Sequence, residues 1–375
     1  MKLRWSAALA VSAVALAAVP GWAQQEWSFE GRELLVTNLA GEVTVRGHDG
    51  SRIVVRAKPG GSDAERLNFE VQRGGEAEFH VLYPLNDSRR YVYPRMRHGE
   101  TKFRVEGWRE QSSFLDDYYS GLSRRDRIEI RGEDGRGALE AWADLEILVP
   151  RNVSTRIKLG VGRIDVSDIE SDIDLDTHTG PVTAENIGGD TRIDTSSGSV
   201  EVRNVRGSLD IDTGSGGVEV SEVEGDFIRI DTGSGHVTLE RAKSRQLDID
   251  TGSGSVRTDD IDARSTNIDT GSGSVTLSLL RLDGGTHVID TGSGSVTVTL
   301  PADASVRIHA ETGSGSIRLD LPSARLTRMS RDEVDLEIGG GAARMQIDTG
   351  SGGVNILTRG GSGDGGGGGG GGGGA

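Results

Sequence analysis

One heptapeptide recurs through the C-terminal part of this 375-residue chain. Its form is Asp-Thr-Gly-Ser-Gly-x-Val, and diverged copies precede and interrupt the unchanged ones. Successive copies begin 18 to 21 residues apart, except for a final interval of 37 that is close to two periods. A fixed period near 20 residues is typical of solenoids, so each copy is expected to mark one coil. The acidic residues that open the copies are Asp176, Asp194, Asp212, Asp231, Asp250, Asp269, Asp290, Glu311 and Asp348.

The segments on both sides of the heptapeptide alternate apolar and polar residues, as in Leu209-Asp-Ile211 and Val218-Glu-Val220. Such alternation indicates strands with one buried face. The sequence therefore predicts an all-β parallel β-solenoid, a single-stranded β-helix of about 18–21 residues per coil. One expected aliphatic row is Leu175, Ile193, Ile211, Ile230, Ile249, Ile268, Ile289 and Ile347. The other is Val182, Val200, Val218, Val237, Val256, Val275, Val296, Ile317 and Val354.

The heptapeptide itself is suited to a tight corner. Two glycines separated by one residue let the backbone reverse direction, and the preceding Asp and Thr can accept hydrogen bonds from turn N–H groups. Stacked aspartates about 4.8 Å apart would repel by about 1 kcal/mol per pair even in water. Turn hydrogen bonds, water and nearby arginines are expected to offset this repulsion. A cation along the ladder, giving a calcium-stabilised solenoid, is the alternative.

The N-terminus has the features of a secretory signal over residues 1–23. Lys2 and Arg4 precede an apolar stretch, and Gly21-Trp22-Ala23 offers a cleavage site. The chain contains no cysteine, which leaves neither disulfides nor thiolate metal sites. These features predict an exported protein of the periplasm or cell surface, with no membrane span after signal cleavage.

The remainder divides into a β-rich N-terminal cap (24–150), the solenoid repeats (151–358) and a disordered glycine-rich tail (359–375). The cap contains an irregular insertion, 85–126, that is rich in arginine and aromatic residues. Such residues are enriched at binding hot spots, so an acidic protein or an anionic glycan could bind there. The candidate partner contacts are Arg89, Arg90, Tyr91, Tyr93, Arg95, Arg97 and Trp108.

Composition narrows the function classes. A net charge of −16 argues against nucleic-acid binding. The Asp-Thr-Gly-Ser motif also occurs in aspartic proteases, but those enzymes need two copies facing each other across two lobes. The seven histidines are scattered along the sequence, and neither a metal site, a cofactor site nor a catalytic constellation is expected. A non-enzymatic binding or structural solenoid, with a protein or glycan partner or self-association, is the favoured function. A β-helical enzyme acting on polysaccharide is the alternative.

Three features together carry a family resemblance: the run Leu35–Val45, the strand Leu145-Glu-Ile-Leu-Val-Pro150 and the many Thr-Gly-Ser-Gly-x-Val corners. In these the chain resembles the putative adhesin family of bacterial exported proteins, over roughly residues 30 to 358. The resemblance implies a repetitive β-solenoid and an envelope or surface role. It implies no catalytic residues.

Overall fold

The structure is a computed structural model that describes residues 24–96, 99–132 and 137–359. The predicted signal segment 1–23 and the glycine run after Arg359 lie outside the described residues. The chain divides into two compact units, and the division falls between Ala184 and Glu185 within one strand, β15. Almost all regular structure is β, and the repeat segments pair in parallel, which confirms the predicted parallel β-solenoid.

The elements of the first unit are mostly short strands. They are β1 Gln25–Phe29, β2 Glu33–Ala40, β3 Val43–His48, β4 Ile53–Gly60, β5 Asn68–Gln72, β6 Glu76–Leu82, β7 Arg90–Val92, β8 Glu100–Phe103, α1 Glu106–Arg109, α2 Ser113–Tyr118, β9 Ile128–Arg131, β10 Leu139–Glu140, β11 Trp142–Pro150, β12 Ser154–Val161, β13 Ile164–Ile169 and β14 Ile173–Thr179, with 3₁₀ turns at Ala64–Arg66 and Pro94–Met96.

The regular elements of the second unit, within its described residues 185–359, are all strands. After β15 (Val182–Ile187) they are β16 Thr191–Ser197, β17 Val200–Arg206, β18 Leu209–Thr213, β19 Val218–Thr232, β20 Val237–Thr251, β21 Val256–Thr270, β22 Val275–Leu279, β23 Thr286–Thr291, β24 Val296–Leu300, β25 Val306–Thr312, β26 Ile317–Asp320, β27 Arg325–Met329, β28 Glu333–Ile338, β29 Ala343–Thr349 and β30 Val354–Thr358.

Coils of the second unit stack in parallel with repeat positions in register. Ile211 pairs with Ile230, which pairs with Ile249, and the aspartates beside them follow the same register. The two predicted aliphatic rows are buried along this unit, with the members at positions 193–347 and 200–354 at most 9% exposed. A third buried row, which the sequence analysis did not identify, closes the interior on the remaining side. It comprises Val205, Val223, Ala242, Ile261 and Leu279.

The last coil is not last in the stack. Strand β29 pairs in parallel with β23 on one side and with β25 on the other, and β30 lies likewise between β24 and β26. The coil 343–358 therefore lies between the coils 286–300 and 306–320. The interval of 37 residues, although close to two periods, does not contain a further coil. Its middle part forms the antiparallel pair β27–β28, and β28 pairs antiparallel with β25 beyond the stack.

The first unit contains the same kind of coil. Strands β2 and β3 form a coil that pairs in parallel with β12 and β13, and β12 in turn pairs with β14. On its other side this coil pairs in parallel with β6 and β11. Antiparallel strands follow: β5 on β6, and β4 on β11. The parallel ladder thus ends in antiparallel strands, which satisfy backbone groups that an open parallel edge would leave unpaired.

The segment predicted to be an irregular insertion is ordered. It contributes α1, α2 and two of the four strands, β7 and β8, of a second sheet with the strand order β10–β7–β9–β8. Its aromatic residues provide the core that a short segment needs: Tyr91 is fully buried and packs edge-on against Tyr83 at 5.3 Å. Sequence alternation is weak in strands this short, so the sheet was not recognised.

Candidate functional site

The acidic ladder is a row of stacked carboxylates in the second unit. The strand register places the aspartates of successive coils directly beside one another. The row extends through residues 194, 212, 231, 250, 269, 290, 348 and 311, in that spatial order. Asp176 belongs to the first unit, where Lys158 stands at the equivalent position and its ammonium lies 2.7 Å from the Asp176 carboxylate.

Two carboxylates within this ladder, Asp250 and Asp290, have perturbed electrostatics. Partial burial, followed by the charges of Asp231 and Asp269, raises the pKa of Asp250 above its ordinary value. Partial burial, followed by Asp269 and Asp348, does the same to Asp290. Desolvation and like charges both penalise the anionic form of these two side chains, so their charges oppose folding at neutral pH.

In several successive corners, the threonine hydroxyl links the turn to the neighbouring coil. The Thr251 hydroxyl donates to the Gly235 carbonyl of the preceding coil at 3.2 Å and accepts from the Gly254 N–H of its own turn at 3.0 Å. Thr270, Thr291, Thr349 and Thr312 repeat this relay. The threonines are at most 1% exposed. These corner threonines therefore do not form an exposed surface. Of the two predicted acceptors, Asp and Thr, it is Thr that accepts the turn N–H in these coils.

A second bend of each coil lies away from the Asp-Thr-Gly-Ser-Gly corner, where the chain turns back after the third buried row. A groove lies along these bends. This return-turn groove has a volume of about 950 Å³ and is lined entirely by the second unit. Small residues such as Gly207, Gly225 and Ala263 contribute to its lining. Its charged residues are the cations Arg206, Lys243, Arg245, Arg264 and Arg281 and the anions Asp190, Glu224, Asp226, Asp262 and Asp283.

In one row of residues along the return-turn groove, charges alternate in sign along the stack. The register places Glu224 beside Arg206, Lys243 beside Glu224 and Asp262 beside Lys243. Lys243 donates a hydrogen bond to Glu224. This pairing raises the pKa of Lys243 and lowers the pKa of Glu224. In the neighbouring row of groove residues, Arg245 lies 2.6 Å from Asp226. Sequence analysis missed this surface, although sign alternation at the coil period is visible in the printed sequence.

The candidate contacts in 85–126 occupy several environments in the first unit. Tyr91 and Tyr93 are buried in the core, and Trp108 is half-buried against Phe103. Arg89 lies 2.6 Å from Asp126, and Arg95 forms a bidentate pair with Asp144. Arg90 is exposed, and Arg97 lies outside the described residues. The role of these residues in partner binding remains a prediction. Because Tyr91 and Tyr93 are buried, they can contribute to it only through packing.

Among the residues that the structure describes, no helix combines the length and the apolar character needed to cross a bilayer. A comparison with curated proteins gives no match. Among solved structures, a putative cell adhesion protein from Clostridium sporogenes ATCC 15579 is similar at 11% identity, over 90% of this chain and 99% of that chain, with a TM-score of 0.20. A likeness of that size supports no inference.

The family comparison is informative. The sequence profile of Toastrack DUF4097, a domain of unknown function, matches residues 143–357, more than half of the chain. The match extends from β11 through nearly all of the stacked coils described above, and it confirms the predicted resemblance. The chain therefore belongs to the Toastrack DUF4097 family.

Proposed function

We propose that this protein is an exported, non-enzymatic envelope protein that binds an extended polar partner along the return-turn groove. The observation that carries this proposal is the alternating row of charges contributed by successive coils of one rigidly paired sheet. Six successive coils line the groove, and five spacings of about 4.8 Å span about 24 Å. That length suits several units of a linear chain more than a compact small molecule.

The chemistry of the groove favours a partner with both hydrogen-bonding groups and charge. Cations and anions are equal in number along it, so a strongly charged polymer of one sign would meet repulsion at every second coil. Its small floor residues allow close approach of a polymer backbone. A polar envelope glycan, neutral or carrying both signs of charge, fits this surface best, and an extended protein segment is the other candidate partner.

Charge reversal in the groove tests the proposed binding. The double variant Arg245→Glu, Arg264→Glu changes two exposed groove cations, and Arg257→Glu, on an exposed strand position outside the groove, is the matched control. Binding to immobilised envelope polysaccharides should fall at least about tenfold in the double variant and remain unchanged in the control. Equal binding by all three proteins would refute the groove as the binding surface.

The same glycans test the non-enzymatic part of the proposal. Prolonged incubation with the wild-type protein should leave the number of reducing ends and the polymer length unchanged. Shortening of a glycan would instead support the alternative of a β-helical polysaccharide-active enzyme. In that case the groove carboxylates Asp226 and Asp262 would be the first residues to replace.

Location can be measured with a single engineered thiol, since the chain has no cysteine of its own. Ser255 is exposed beside a corner, so Ser255→Cys should react with a membrane-impermeant maleimide once that reagent reaches the protein. Labelling in intact cells indicates the outer surface, and labelling only after the outer membrane is permeabilised indicates the periplasm. Labelling only in lysed cells would refute export.

A further inference from the structure

Three side chains that can bind metal converge at the end of the second unit. His309 of β25 and Glu333 and Asp335 of β28 each offer one ligand atom, and these atoms all lie within 4.8 Å of one another. Ligands bound at 2.0–2.2 Å to one transition ion lie about 3 to 4.4 Å apart, so small side-chain rotations would complete the site. The sequence separation of 24 residues between His309 and Glu333 matches none of the short ligand motifs.

The backbone holds the three residues on one face. Strands β25 and β28 are antiparallel, and His309 stands directly opposite Asp335. Glu333 lies two residues before Asp335 and thus on the same side of β28. The imidazole Nδ1 is 2.8 Å from an Asp335 carboxylate oxygen, a contact in which a metal ion can replace the shared proton. The strand pairing therefore fixes the ligand geometry in advance.

The local charge favours a cation. Glu311 stands opposite Glu333 across the same strand pair, so three carboxylates belong to this small area. Arg328 lies 2.7 Å from one oxygen of Glu333 and leaves the second oxygen of that carboxylate for another ligand. Like charges on opposing strands cost stability, and a bound divalent ion would offset that cost.

An adjoining cavity gives access to the cluster. It has a volume of about 660 Å³. Its lining includes two of the three ligands, His309 and Asp335, together with Arg344 and the ion pair Arg307–Glu337. His309 and Asp335 are 43% and 37% exposed, so an ion can enter from solvent without unfolding the strands. The cavity also has room for water at the metal positions that the protein does not fill.

We propose that His309, Glu333 and Asp335 form a binding site for a divalent transition metal ion of the zinc type. One imidazole nitrogen with two carboxylate oxygens suits Zn²⁺ and its first-row neighbours, whereas Ca²⁺ requires six to eight oxygen ligands. The bound ion ties β28 to β25 and so fixes the hairpin β27–β28 on the terminal coil 306–320. The site is separate from the return-turn groove, and none of its three ligands belongs to the acidic ladder, although Glu311, the last residue of that ladder, lies opposite Glu333.

Calorimetric titration of the full chain with zinc chloride tests this site, using protein purified without a histidine tag. The variants His309→Gln and Asp335→Asn preserve size and hydrogen bonding but remove a good ligand. We expect one ion per chain in the wild type and at least about tenfold weaker binding in each variant. The controls are His236→Gln, which changes an exposed histidine in a corner, and Glu337→Gln, which changes a β28 residue that pairs with Arg307 of β25.

The controls should bind zinc as the wild type does. Unchanged binding in His309→Gln or Asp335→Asn, or an equal loss in His236→Gln, would overturn the proposal. Thermal melting supplies a second readout: zinc should raise the melting temperature of the wild type and the controls but not of the two ligand variants. A rise with zinc that persists in both ligand variants would place the ion elsewhere and would also overturn it.

Discussion

At the scale of single residues, the corner threonine explains why the heptapeptide is kept so strictly. Its hydroxyl connects two coils, because it accepts from its own turn and donates to the carbonyl of a glycine in the adjacent coil. The relay is not universal. The hydroxyls of Thr177, Thr195 and Thr213 are buried without a hydrogen-bond partner among the described residues. The corner therefore exists in two forms, and the threonines of the two forms should differ in energetic value.

Replacement by valine, which has nearly the same shape, measures that difference. Thr270→Val removes a donor to the Gly254 carbonyl and an acceptor for the Gly273 N–H, so we expect a loss of about 1–3 kcal/mol in the free energy of unfolding. Thr213→Val loses no hydrogen bond and should be within about 0.5 kcal/mol of wild type or stabilising. Urea denaturation checks both values. Equal losses in the two variants would contradict the relay.

Close approach of neighbouring coils explains the second glycine of each corner. A Cβ built on Gly254 would overlap the carbonyl oxygen of Gly235, whereas a Cβ on Gly75 would meet no atom within 4 Å. We expect Gly254→Ala to destabilise the protein by more than about 2 kcal/mol, since backbone atoms must shift. Gly75→Ala should be nearly neutral. Thermal melting of both variants, with comparable melting temperatures as the contradicting outcome, checks this prediction.

At the scale of the strand ladder, the packed coils force like charges together. The carboxyl pKa values of Asp250 and Asp290 are raised, so the folded protein holds these protons more tightly than the unfolded chain does. The resulting destabilisation is complete above the raised pKa values. It disappears as the pH falls through them towards the ordinary aspartate value of about 3.9. This contribution therefore makes the fold more stable as the solution becomes mildly acidic.

Asp250→Asn isolates the ladder's contribution. We expect it to raise the melting temperature at pH 7 and to flatten the stability gain on acidification, because one repelling charge is removed. Asp210→Asn is the matched control, since Asp210 lies between Arg192 and Arg229 in the strand register and should lose attraction instead. Melting curves from pH 4 to 8 would contradict the prediction if both variants shifted in the same direction.

Salt distinguishes simple screening from calcium binding at the same ladder. Screening predicts that sodium chloride stabilises the wild type and that calcium chloride at equal ionic strength does no more. The melting temperature of Asp250→Asn should respond less to sodium chloride than that of the wild type does. An additional rise in melting temperature with calcium, reversed by a chelator and reduced in Asp250→Asn, would instead support the calcium-stabilised solenoid.

At the scale of the second unit, the order of coils has consequences for stability. The coil 343–358 is inserted between two coils that precede it in the sequence. The coil 306–320 therefore has no coil neighbour in the stack until the C-terminal segment arrives. Arg359 fastens the end of that segment through Asp260 at 2.7 Å and Ser278 at 2.8 Å.

A truncation after residue 342 tests this order. Removing the inserted coil should also free the coil 306–320, so amide hydrogen exchange should become fast in both the segment 306–320 and the hairpin 325–338. In a stack that followed the sequence, deletion of the last coil would leave 306–320 protected by 286–300. Retained protection of 306–320 would contradict the inserted order.

The repeat period and the alternation around it were sufficient to predict the parallel solenoid, its coil length and two of its three buried rows. These features are local and recur many times, so each copy supports the same register. The third row was missed because its members vary from Ala242 to Ile261 and lie near the irregular bend of each coil. The second sheet at 90–140 was missed for a related reason, as its strands are too short to show a period.

The sequence by itself determined the structure of the single coil: which residues face inward, where the chain turns and which side chains repeat at the surface. Only the tertiary structure decided which coils are neighbours and whether Thr or Asp accepts the hydrogen bond of the turn N–H. It also decided that His309 contacts Asp335 across two strands. The physical reason is that the pattern of burial follows from local alternation, whereas the order of stacking depends on contacts between distant segments. Near-identical coils present nearly the same surface to one another, so the order in which they stack cannot be inferred from the sequence of the single coils.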